Sequence, residues 1–174
     1  INKRKINLRI YLLVSFKDGV QHWHVSSLGK CIYTNQNYKE NSKSLEQNLT
    51  SYNLDNIIYN YNPFTLDELK LYMGAVNYNL LFSRIIHILS LCKSAYYDEL
   101  NFDFNKSNNC FQFYGIDFVF TKDLNPYLLE LNKGPQMLYI NKKEKKLKET
   151  IIEDILSTVG IINSIQTNSF IHIH

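Results

Sequence analysis

Residues 6–16, INLRIYLLVSF, alternate with a period of two. Ile6, Leu8, Ile10, Leu12, Val14 and Phe16 fall on one face, and Lys5, Asn7, Arg9, Tyr11, Leu13 and Ser15 on the other. That period predicts a strand. KDG at 17–19 predicts a turn, and VQHWHVSS after it a partner strand. Residues 39–48 are polar and read as a loop. The pattern changes at NPFTLDEL, 62–69, where Pro63 precedes a capping Thr65 and Glu68 stands three residues further on. This is a helix start. Helical spacing runs through Leu69, Met73, Val76 and Leu80, and a second stripe through Leu81, Ile85, Ile88, Cys92 and Ala95. One long helix or two, ending near Leu100, is expected, followed by a loop over NFDFNKSNN. Strands return at 111–120 and 126–132 around a turn at 122–125. NKKEKKLK reads as a lysine-rich linker. Leu147, Ile151, Ile155, Leu156 and Val159 then have helical spacing, with Gly160 as the stop. The order predicts an α+β fold, a mostly antiparallel sheet flanked by helices.

The second strand pair carries polar groups where half-buried strands are normally apolar. A hairpin centred between Asp123 and Leu124 places Asp117 opposite Glu130, and Asn132 shares the face of Glu130. Directly opposed Cβ atoms lie roughly 4.5–5.5 Å apart. Two carboxylates that close either share a proton or hold a cation between them. An oxygen set of Asp, Glu and Asn suits a hard ion such as Mg²⁺, whose shell is completed by water and phosphate. The alternative is a solvated sheet face that binds nothing. Lys5 and Arg9 on the first strand are either solvent-facing cations or partners for phosphate oxygens. An acid–base hydrolase is a weaker reading, because no nucleophile accompanies the carboxylates. His22 and His24 share a strand face, but no third ligand is evident from sequence, and His172 and His174 read as a frayed terminus.

Composition narrows these readings only a little. The chain has 174 residues, 45% of them hydrophobic, which suits one domain or part of a longer protein. A net charge of +3 is too small to point to nucleic acid. The three cysteines lack close spacing, so neither a zinc cluster nor a disulfide framework is expected, and a reducing, cytoplasmic setting fits. No run of about 18 apolar residues is evident, so no membrane span is expected. The missing initiator Met and the immediate strand suggest the C-terminal portion of something longer.

YGIDFVFTKDLNPYLLELNKGP resembles the C-terminal signature of the tubulin tyrosine ligase-like family, within the ATP-grasp superfamily: a G-x-D strand, a turn, and an apolar strand ending E-x-N. INLRIYLLV resembles that family's F-D-[IL]-R strand, NLTSYNLDN its H-L-T-N-Y-S segment, and KLKETIIEDILSTVG its closing helix. NKGP, with the NPFT helix start, is similar to divergent members in large DNA viruses. The resemblance implies the C-terminal subdomain of an ATP-grasp fold, with the N-terminal part of the clamp absent and the fragment itself inactive. It implies ATP and Mg²⁺ as cofactors, and a ligase that phosphorylates a carboxylate and lets an amine displace the phosphate. Tyrosine, glutamate or glycine would be joined to a protein such as tubulin, in the cytoplasm or at the cytoskeleton. Asp117, Glu130 and Asn132 match the metal ligands, Lys5 a nucleotide-contacting lysine, and Arg9 the catalytic arginine that meets phosphate or carboxylate. Four positions depart from the pattern. Asn7 replaces an Asp, Ile32 stands where many members have Arg (with Lys30 as a substitute), Asn48 replaces His, and Ser51 replaces an Asn (with Asn53 as a substitute). These departures leave open a non-catalytic module that docks on tubulin or another acidic protein through the lysines of 142–148.

Overall fold

A computed structural model describes residues 1–17, 19–99, 110–163 and 167–174. Five antiparallel strands form one sheet in the order β4-β3-β1-β2-β5: β1 (Ile6–Lys17), β2 (Val20–Tyr33), β3 (Cys110–Phe120), β4 (Pro126–Lys133) and β5 (Phe170–Ile173). The alternation of β1 sorts its residues as the sequence predicts. Leu8, Ile10, Leu12 and Val14 enter a large core beneath helices α2 (Leu66–Met73) and α3 (Ala75–Tyr96), together with Leu69, Leu81, Ile85, Leu89, Ile116 and Phe118. The opposite face is covered only in part. Tyr11 and Leu13 pack against Leu147, Ile151 and Ile155 of α4 (Lys142–Thr158). The polar residues further back along β1 lie past the N-terminal end of α4.

Several expectations change. The polar stretch 39–48 contains a one-turn helix, α1 (Leu45–Asn48). The lysine-rich stretch is no linker but the opening of α4, capped by Asn141, whose side chain accepts from the Glu144 amide. The first apolar stripe holds at Leu69 and Met73, which meet the core, but is out of phase at Val76 and Leu80. Gly74 adopts φ 82°, ψ 149°, ends α2 and begins α3 in a new direction. Val76 is therefore 83% exposed, and Tyr78 and Leu81 face the core instead. The backbone of Gly74 is open to glycine and strained for other residues. By length and composition alone α3 is also long and apolar enough to cross a membrane. One of its faces packs on the sheet through Tyr78, Leu81, Ile85 and Leu89. The terminus is not frayed, because β5 pairs with β2. The expected turn at 17–19 lies partly, and the expected loop at 101–109 wholly, outside the described residues.

Candidate functional site

The polar face beyond α4 is assembled from three strands. β1 pairs with β3 so that Arg9 opposes Asp117, and β3 pairs with β4 so that Asp117 opposes Glu130 and Gly115 opposes Asn132. All therefore share one side of the sheet. The β3–β4 ribbon is not uniform. Nearer the turn Phe118 opposes Leu128 and Val119 opposes Tyr127, one residue short of the expected register. A bulge between the two stretches absorbs the difference, with Leu129 as the extra residue. An extra residue bends and twists the strand. Leu129 and Glu130 consequently both line a cavity of about 320 Å³, whose walls also include Asn7, Arg9, Thr50 and Asp117.

Arg9 grips Asp117 with two hydrogen bonds, Nε to Oδ1 and Nη2 to Oδ2, the latter 2.7 Å. Both groups are largely buried. Hydrogen bonding to Asp117 raises the Arg9 pKa above its ordinary value despite burial. Parallel donors on a planar fork fix carboxylate orientation as well as charge. Next to this pair, Asn132 Nδ2 donates to Glu130 Oε1 at 2.8 Å; Glu130 is exposed and Asn132 half-buried. Gly115 makes the arrangement sterically possible. A Cβ there would come within 2.8 Å of Pro135 Cβ and 3.2 Å of Arg9 Cδ. The G-x-D spacing thus leaves room for the arginine over the strand that carries its partner.

Lys5 does not reach the cavity: its ammonium group lies 3.4 Å from the Asn48 carbonyl oxygen and 5.2 Å from the centre of the Tyr38 ring. Asn7 donates to Thr50 Oγ1 at 2.9 Å. Ile32 and Ser51 line the cavity; Asn53 is not among its walls. Lys30 is unavailable as a substitute for the missing arginine, because its Nζ donates to Glu144 Oε1 at 2.6 Å.

That contact belongs to a unit the sequence reading missed. Glu144, 2% exposed, also receives Lys148 at 2.9 Å and the Ile140 amide at 3.1 Å. Burial raises its pKa, but hydrogen bonds from Lys30 and Lys148 outweigh that and hold it below the ordinary value. The N-x-x-E spacing of Asn141 and Glu144, and the i, i+4 placement of Lys148, were the available signals.

An antiparallel sheet with an arginine–carboxylate pair and an E-x-N ribbon beside an open polar cavity defines the class: a carboxylate-lined site on an α+β domain. A model of the tubulin-tyrosine ligase family matches residues 1–168, and the chain belongs to that family. It is 27% identical over 171 residues to the probable tubulin polyglutamylase TTLL9 of Rattus norvegicus, covering 92% of this chain and 36% of that protein. It is 24% identical over 173 residues to tubulin glycylase 3D of Tetrahymena thermophila, covering 91% of this chain and 16% of that protein. A probable alpha-tubulin polyglutamylase, Ttll1, of the same organism is 23% identical over 172 residues, covering 91% and 40%. The chain thus spans two fifths or less of the length of these relatives.

Proposed function

We propose that this chain is the C-terminal ATP-grasp part of an ATP-dependent ligase that joins an amino acid to a protein carboxylate, with tubulin tails as the acceptor class. The observation that carries the reading is the convergence of Asp117, Glu130, Asn132 and Arg9 on one side of the sheet, beside an open cavity. The donor set suits Mg²⁺, which is content with one or two protein carboxylates. Asp117 and Glu130 would supply these, and Asn132 would turn its amide oxygen toward the ion in place of its present N–H bond to Glu130. ATP supplies the phosphoryl group that makes a carboxylate reactive toward an amine. Arg9 holds Asp117 in place and brings positive charge to the cavity wall. Glu130 offers an exposed carboxylate, and the hydrogen-bonded Asn7–Thr50 pair forms part of the cavity wall. Phosphoryl transfer depends chiefly on positioning and charge neutralisation, which these groups would provide.

A non-catalytic docking module is favoured by Asn7, Ile32 and Ser51. The lysines offered for it are partly spent within the chain, since Lys143 pairs with Glu68, Lys145 with Glu149 and Lys148 with Glu144. Thermal melting with and without Mg²⁺–ATP separates the readings. Mass action raises the melting temperature of a state that binds ligand. The ligase reading expects a rise in the protein extended to the full length of its relatives, abolished by Glu130→Gln, together with glutamate or glycine incorporation into tubulin detected by mass spectrometry. A full-length protein whose melting ignores nucleotide would overturn it.

A further inference from the structure

The four histidines of β2 and the C-terminal strand, which looked unrelated in sequence, meet on one sheet face. His24 opposes His172 in the β2–β5 pairing. The ring centres of His24 and His172 are 5.0 Å apart, those of His22 and His172 5.9 Å, and those of His22 and His24 6.4 Å. His174 follows at 4.8 Å from His172. His22 and His24 also line a cavity of about 490 Å³ that reaches the C-terminal end of α4 at Thr158, Val159 and Gly160. This patch lies two strands from Asp117, and about 13 Å or more further along β1 at 3.3 Å per residue.

One nitrogen in this patch lacks a partner. His24 Nδ1 is buried with no hydrogen bond. An unsatisfied buried acceptor or donor costs about 1–3 kcal/mol and calls for an explanation such as an ion. A zinc–nitrogen bond of about 2.0–2.1 Å places imidazole centres about 5 Å apart around a tetrahedral ion, and the observed spacings start at that value. Among the described residues, no group of three or more His, Cys, Asp or Glu side chains stands ready, as placed, to hold a metal ion. The missing motion is ring rotation, and histidine χ2 is broad and two-fold.

We propose that His22, His24 and His172 bind a divalent transition-metal ion of the zinc type, with His174 or water as the fourth ligand, and that this ion pins β5 to β2. The site is separate from the carboxylate cavity in position, in ligand softness and in the strand it secures.

The test is titration of the metal-free chain with Zn²⁺ by calorimetry, and with Co²⁺ by visible absorption. Saturable 1:1 binding and a four-coordinate cobalt spectrum are expected. His22→Gln and His172→Asn should each weaken binding by about tenfold or more, since even outer-shell changes cost 10–100-fold at such sites. Absence of 1:1 binding, or unaltered affinity in the double histidine variant, would overturn the proposal. Should a variant fail to fold, carbethoxylation of the wild-type chain decides instead. Zn²⁺ should protect His22, His24 and His172 from the reagent, and equal labelling with and without the ion counts against the site.

Discussion

Glu144 lies between two ammonium groups, Lys30 on the sheet and Lys148 one turn along its own helix, and receives a backbone amide as well. Removing a single member of a buried charged cluster strands the others, typically at about 3–5 kcal/mol. Glu144→Gln is therefore expected to lower unfolding free energy by about 3 kcal/mol in urea titrations. Simultaneous replacement of all three by apolar residues of similar size should come out nearly neutral. The sign with pH follows from the depressed carboxyl. Its contribution is complete above the ordinary value of 4.5 and disappears as acid protonates the folded form. Wild type should thus lose stability below that pH more steeply than Glu144→Gln. At this scale the sequence reveals residues that share a strand or a turn. Asp117, Glu130 and Asn132 could be set on one face because strand period and a single turn sufficed. The grip of Arg9 on Asp117 could not be read, since it depends on β1 lying beside β3 across more than a hundred intervening residues.

Among the elements, the glycines decide where prediction by periodicity works. The β1 alternation survives intact because nothing interrupts it. The α2–α3 stripe fails at Gly74, whose backbone resets the helical phase; a hydrophobic pattern carries no direct record of such a break. Gly115 has the reverse effect and preserves a close approach. Its substitution by Ala should push Pro135 or the Arg9 side chain aside, costing about 1–3 kcal/mol as an overpacked site does. Thermal melting of Gly115→Ala measures the cost. A melting temperature equal to wild type would show that Arg9 and Pro135 yield freely. Gly134, at φ 65°, then turns the chain out of β4 immediately before that proline.

For the molecule as a whole, the sheet order joins the two ends of the chain, since β1 and β5 both flank β2. Burial, then the neighbouring His172, His22 and Lys93, push the pKa of His24 down to about 4, and His172 is lowered by burial, His174, Lys93 and His22. An unfolded β5 accepts protons first, so docking of this strand is fully supported above the ordinary value of 6.5 and weakens as pH falls toward about 4. In the metal-free chain, amide exchange of residues 170–173 should quicken relative to β1 between neutral pH and about pH 5. Exchange that stays in step with β1 would rule this out. The four-residue length of β5 left too short a period for its pairing to show in the sequence.

The surplus residue at Leu129 gives the ribbon an uneven tolerance for changes in chain length. Loss of Leu129 itself would leave Leu128 across from Phe118 and Glu130 across from Asp117, with only the local coil of the strand relaxed. Loss of one residue from the hairpin tip would instead put the near half of β4 out of step with β3. Homologous chains can therefore vary by one position at the bulge and still meet the same neighbours, whereas the tip is held to a fixed count.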